Sequence, residues 1–260
     1  MRNLVLGAAA AALLAMPATA APVEKRIAYD VDGKKFEGVL VYDDSVKRKR
    51  PAILMSPDWL GVTQKSLDQA KVVAGKQYVV FVADMYGVGA APKNPQEAGP
   101  AAAKVRSDIA GTRARISKAL ETFLAEGNKE GLIDARKVAA VGFCFGGGNV
   151  LELARGGGNI KAVVTFHGEL TTSQVEGPGK IKARILVLHG ADDPLVPKAA
   201  RDKFEDEMKA AKVDYQVVAF GNTVHSFTDP TAKFPPAAVY NEKSAKLAYA
   251  MMRDFFSQTF

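Results

Sequence analysis

Residues 26 to 41 alternate polar and apolar side chains on either side of Asp32-Gly33. Successive strand residues face opposite sides, so alternation around a D-G pair predicts an antiparallel hairpin closed by a tight turn. Beyond it the pattern changes to short unbroken apolar runs at 52–55, 78–82, 138–142, 162–166, 185–189 and 215–220. Runs rich in β-branched residues and lacking alternation predict strands buried on both faces. Between them lie helical stretches around 64–75, 100–126, 147–155, 198–211 and 241–256. The longest carries Val105, Ile109, Ile116, Leu120, Phe123 and Leu124 at spacings that put one stripe against a sheet, and Pro100 suits its first turn. Strand followed by helix, repeated, predicts a mostly parallel central sheet with helices on both faces, opened by an N-terminal antiparallel hairpin.

In such sheets ligands bind beyond the carboxyl ends of the strands. The residues just after each run are therefore the informative ones: Asp58-Trp59, Asp84-Met85-Tyr86, Cys144, His167, His189 with Asp192-Asp193, and His225. Gly142-Phe143-Cys144-Phe145-Gly146 is a G-x-S-x-G elbow with cysteine for serine. Such a strand-to-helix turn points its central side chain into the cleft and aims a helix N-terminus at it, which favours thiolate over thiol. A thiol nucleophile needs a base. In the chain order nucleophile, acid, histidine that base is His225, leaving His167 and His189 as structural or cleft-lining residues. The acid comes from Gly190-Ala191-Asp192-Asp193-Pro194-Leu195-Val196-Pro197. Asp193 is the choice, and Asp192 caps the loop. Oxyanion donors are expected from the backbone amides of Phe145 and Trp59.

Composition narrows the class. The 260 residues are 48% hydrophobic and 24% charged, which excludes collagenous, coiled-coil and wholly disordered chains. Cys144 is the only cysteine, so no disulfide forms within one chain. The net charge of +7 is scattered. Its densest run, Lys47 to Arg50, lacks interleaved aromatics and reads as a solvated loop, so no nucleic-acid partner is expected. Residues 1–20 have a charged head at Arg2, an apolar stretch from Leu4 to Met16 and an A-x-A end. This is the order of a cleaved Sec signal peptide. A single α/β domain over 21–260 is expected, monomeric, periplasmic or secreted, and not membrane-bound after cleavage.

GFCFGG, HGADDPLVP, VHSF, SPDWLGV and ADMYG together resemble the dienelactone hydrolase family of α/β-hydrolases, from about Ile27 to Phe256. The resemblance implies an α/β-hydrolase fold and hydrolysis of a small ester or lactone through an acyl-thiol intermediate. It implies a Cys144–His225–Asp193 triad, no metal and no cofactor. Family members that cleave dienelactone place a thiol-contacting Glu where this chain has Asp58. They clamp the substrate carboxylate with two arginines where it has Val88 and Asp229. Both clamps are missing, so neutral substrates are expected. Tyr86, His167 and Lys93 are further candidates for the cleft, with Lys93 a substitute clamp. The competing readings are a non-catalytic binding or structural protein of the same fold, and a metal site of Cys144, His225, His189 and Asp193, whose spacing is poor for a metal.

Overall fold

The computed structural model describes residues 22–260; the expected signal peptide lies outside the described residues. The hairpin forms as read: β1 (Val23–Val31) pairs antiparallel with β2 (Lys34–Tyr42). Six further strands complete the sheet: β3 (Arg50–Ser56), β4 (Val79–Val82), β5 (Ile133–Phe143), β6 (Ala162–Phe166), β7 (Arg184–Gly190) and β8 (Tyr215–Phe220). Its spatial order is β1-β2-β4-β3-β5-β6-β7-β8. The β2–β4 contact is antiparallel, and every pair from β4 onward is parallel.

The unbroken apolar runs arise because each central strand divides its side chains between two cores. On β3, Ala52 and Leu54 join one core, whereas Ile53 and Met55 join the other. Helices α3 (Ile109–Lys129), α4 (Phe145–Arg155) and α5 (Lys198–Ala211) cover the first face. Helices α1 (Gln64–Ala74) and α6 (Glu242–Thr259) cover the second. No helix of the described residues is long and apolar enough to cross a membrane.

Two local expectations are corrected. The helix expected over 100–126 is two helices, α2 (Pro95–Ser107) and α3, broken at Asp108. Asp108 ends the first, and its side chain accepts from the Gly111 N–H at 2.9 Å to start the second. Pro95 occupies the first turn of α2 after the Asn94 cap, and Pro100 sits inside the helix. Arg50 is not solvated. It begins β3 fully buried, donates to the Asp43 carbonyl at 3.0 Å and lies over the Tyr42 ring.

Candidate active site

Cys144 follows β5 and caps α4 with φ +52° and ψ −120°. A cysteine held in this sparsely populated region is strained, and the strain persists because the surroundings leave no alternative. Its N–H donates to the Phe166 carbonyl at 3.1 Å, and its own carbonyl accepts from Gly147 at 3.0 Å and Glu169 at 3.2 Å. The flanking glycines are required by close approach. A Cβ on Gly142 would lie 2.2 Å from the Gly146 oxygen, and one on Gly146 would lie 2.0 Å from the Ser56 oxygen. The turn thereby packs α4 directly on the end of β3, leaving Cys144 partly exposed.

Asp193 is bound on both oxygens. Asp193 Oδ1 accepts from the Leu195 and Val196 N–H groups at 2.8 and 3.0 Å, while Oδ2 meets His225 Nδ1 at 2.7 Å. Both residues are buried, and His225 Nε2 is buried without a hydrogen-bond partner. Burial works against a charged imidazole. The neighbouring Cys144 sulfur and the Asp193 carboxylate outweigh it, and His225 is pushed up to about 10. The structure thus brings Cys144, His225 and Asp193 together, and Asp192 lies exposed beside them.

His167 lines the same centre. Its ring is edge-on to His225, with centroids 5.0 Å apart, and its Nε2 is 2.8 Å from Thr228 Oγ1. Burial first, and then His225 and His189, hold its pKa well below the usual histidine value. His189 is fully buried and hydrogen-bonds the Val196 carbonyl through Nε2 at 2.8 Å, a structural role. No group of three or more His, Cys, Asp or Glu with metal-binding geometry occurs among the described residues.

In the loop after β4, the Tyr86 ring stacks on Phe145 at 5.7 Å, and its hydroxyl donates to the Trp59 carbonyl at 2.7 Å. Asp84 Oδ1 fixes this turn by accepting from the Tyr86 and Gly87 N–H groups. Trp59 and Phe145 therefore belong to segments braced by one tyrosine. The Phe145 N–H lies in the first turn of α4, where intrahelical acceptors are lacking.

A cavity of about 540 Å³ opens beside His167 and Ser226, walled by Phe143, Tyr240 and Tyr249. Cys144 and His225 do not line it, whereas His167 and Ser226 do. Its polar end holds a residue that the sequence reading missed. Lys65, in the first turn of α1, ion-pairs with Asp58 and, at 3.1 Å, with Asp229 Oδ2. This corrects two expectations. Asp58 does not turn its carboxylate to the thiol: Oδ1 accepts from the Leu60 N–H at 2.9 Å, and Oδ2 meets Lys65. Lys93 is exposed outside the cavity, in the turn into α2, and it is Lys65 that meets Asp58 and Asp229. Val88 is exposed as well. No sequence pattern marks Lys65, because Asp229, which joins Asp58 at its ammonium, comes from a loop 164 positions away.

A mostly parallel sheet, a strained elbow after β5 and an acid and a histidine after β7 and β8 define an α/β-hydrolase. The dienelactone hydrolase family model matches residues 36–260, and the chain belongs to that family of hydrolases. Two solved structures match closely. One is called m3DLH (34% identity, TM-score 0.84) and the other a dienelactone hydrolase-like promiscuous phosphotriesterase from metagenomic libraries (33%, TM-score 0.85). Each match covers 92% of this chain and 99% of the other. A Thermogutta terrifontis esterase solved with propionate shares the fold at 16% identity and TM-score 0.63, over 90% of this chain and 94% of its own. An uncharacterized Caenorhabditis elegans protein is 37% identical over 134 residues, 49% of this chain and 84% of its own length. A Yersinia pestis protein provisionally named carboxymethylenebutenolidase matches at 26% over 48% of each chain, so this chain spans about half of that relative.

Proposed function

We propose that this protein hydrolyses small, uncharged carboxylic esters or lactones through a thioester on Cys144, with His225 as acid and base and Asp193 as its partner. The observation that carries the reading is the buried Asp193–His225 hydrogen bond, whose far nitrogen, Nε2, is unpartnered beside the elbow cysteine. Attack of the Cys144 thiolate on the carbonyl carbon forms the C–S bond and moves an electron pair onto the carbonyl oxygen. The amide N–H groups of Phe145 and Trp59 receive that oxyanion. Collapse breaks the C–O bond, and the leaving alkoxide takes the proton from His225 Nε2. Water then gives a proton to Nε2 as it attacks the thioester, and the acid is released with the thiolate restored.

The preference for uncharged substrates is supported by the polar end of the cavity. There, two carboxylates flank the Lys65 ammonium, and the other lysine among the described lining residues, Lys246, is paired with Glu242. Propionate in the Thermogutta esterase is the kind of small acid such a reaction releases. We also propose export to the periplasm, on the strength of the leader pattern in residues 1–20.

The test is hydrolysis of p-nitrophenyl acetate, and of a carboxylated lactone beside its methyl ester. Cys144→Ala or thiol alkylation is expected to abolish turnover, chelator to leave it unchanged, and the methyl ester to be preferred. Full turnover by Cys144→Ala overturns the nucleophile, and preference for the free acid overturns the substrate class. Absence of hydrolysis across an ester panel favours the binding-protein reading.

A further inference from the structure

Two loops near the Cys144 centre, one after β3 and one after β8, are joined by one side chain. Asp58 immediately precedes Trp59, whose amide is assigned to the oxyanion. Asp229 lies four residues after His225. Both carboxylates are largely buried, and the Lys65 ammonium reaches both. Burial works against the charge on Lys65, but the two carboxylates outweigh it and raise its pKa; burial likewise works against the charge on Asp229, and its bonds from Thr231 and Lys65 lower it. Lys65 and Asp229 are therefore charged together at neutral pH. One helical turn further along α1, Gln69 Nε2 donates to Thr228 Oγ1 at 3.5 Å, and Thr228 is the residue bonded to His167 against His225. The same face of α1 thus touches the base loop twice and the oxyanion loop once.

A lysine placed only to anchor the helix would look like Lys71. It sits on α1 as well and forms two ion pairs of 2.8 Å, to Glu24 and Asp68, and does not itself line the cavity. Lys65 differs because removing it leaves two carboxylates facing each other at the polar end of the cavity, and their repulsion drives the loops apart. Displacement of reacting groups by about 1 Å costs on the order of a hundredfold in rate. Resting on the hydrolase reading above, we propose that Lys65 is a positioning residue: its ammonium holds the Trp59 segment and the His225 segment at a fixed separation across the scissile ester.

The test compares Lys65→Met, Lys65→Arg and Lys71→Met in the purified protein, with kcat and KM on p-nitrophenyl acetate and thermal melting of each. Lys65→Met is expected to lower kcat by about 10- to 100-fold with KM changed by less than about threefold. Lys65→Arg, which keeps a cation able to bridge two carboxylates, should restore kcat to within about threefold. Lys71→Met should match wild type. The proposal is overturned if Lys65→Met retains wild-type kcat, if the loss falls in KM alone, if arginine fails to rescue, or if Lys71→Met is equally impaired. Should Lys65→Met not fold, Asp229→Asn cuts the tie to the base loop alone and carries the same expected fall in kcat, and wild-type kcat there overturns the proposal. Turnover that survives Cys144→Ala sinks the Cys144 mechanism on which the proposal rests, whereas its loss alongside wild-type kcat in Lys65→Met sinks only the positioning role.

Discussion

Replacing Gly146 by alanine adds one methyl group at the tightest point of the elbow. The new Cβ would stand 2.0 Å from the Ser56 carbonyl oxygen and 2.4 Å from that of Pro57. An ordinary carbon–oxygen contact is about 3.3 Å, so the first overlap exceeds about 1 Å. Both obstacles are backbone at the end of β3, the strand paired on both sides with β4 and β5. No side chain can rotate away; α4 or the strand end must shift. Overpacking costs typically 1–3 kcal/mol, and a rigid backbone clash belongs at the upper end, about 3 kcal/mol. For a chain of this size that is a fall in Tm of roughly 6–12 °C. Because the shift moves Cys144 relative to the Trp59 amide, turnover should fall on the order of a hundredfold. Gly131→Ala serves as the contrast. Gly131 has φ +68° and nothing within 4 Å of a Cβ, so only backbone strain of roughly 1–2 kcal/mol is expected, with turnover intact. Calorimetry and esterase assays on both variants decide. A Gly146→Ala protein that melts within about 2 °C of wild type and keeps its activity would refute the close-approach argument.

Asp193→Asn should lower turnover sharply, whereas Asp192→Asn should leave it near wild type, because only Asp193 meets His225; steady-state kinetics of the two variants check this, and a larger loss from Asp192→Asn would reverse the assignment. Since His225 is pushed up to about 10 by Cys144 and Asp193 against burial, acylation should fall about tenfold per unit above about pH 10. Removing the Asp193 charge lowers the His225 pKa, so the descending limb should move to lower pH in Asp193→Asn; a limb that stays in place or rises contradicts the electrostatic account. Intact mass of the exported chain should begin at Ala21, and a mature chain retaining Met1 would overturn the leader assignment.

Much of the fold was legible along the chain because its signals are local. Ile53 and Met55 differ from Ala52 and Leu54 only in which core receives them, and burial on both faces writes itself as an unbroken apolar run. Cys144 was legible because the tight turn demands glycine at 142 and 146, a constraint expressed within five residues. The break at Asp108 was harder to see, since the apolar stripe of α2 and α3 carries through it and only a single cap marks the boundary. What the tertiary structure alone decided is the choice of charged partners. Arg50 entered the interior from a basic run, and Asp58 turned from the thiol to Lys65. Lys65 met Asp229, a residue 164 positions away. Charged side chains carry no local code for their partners: many carboxylates lie along the chain, attraction depends on separation in space, and that separation exists only once the sheet has gathered its strand ends.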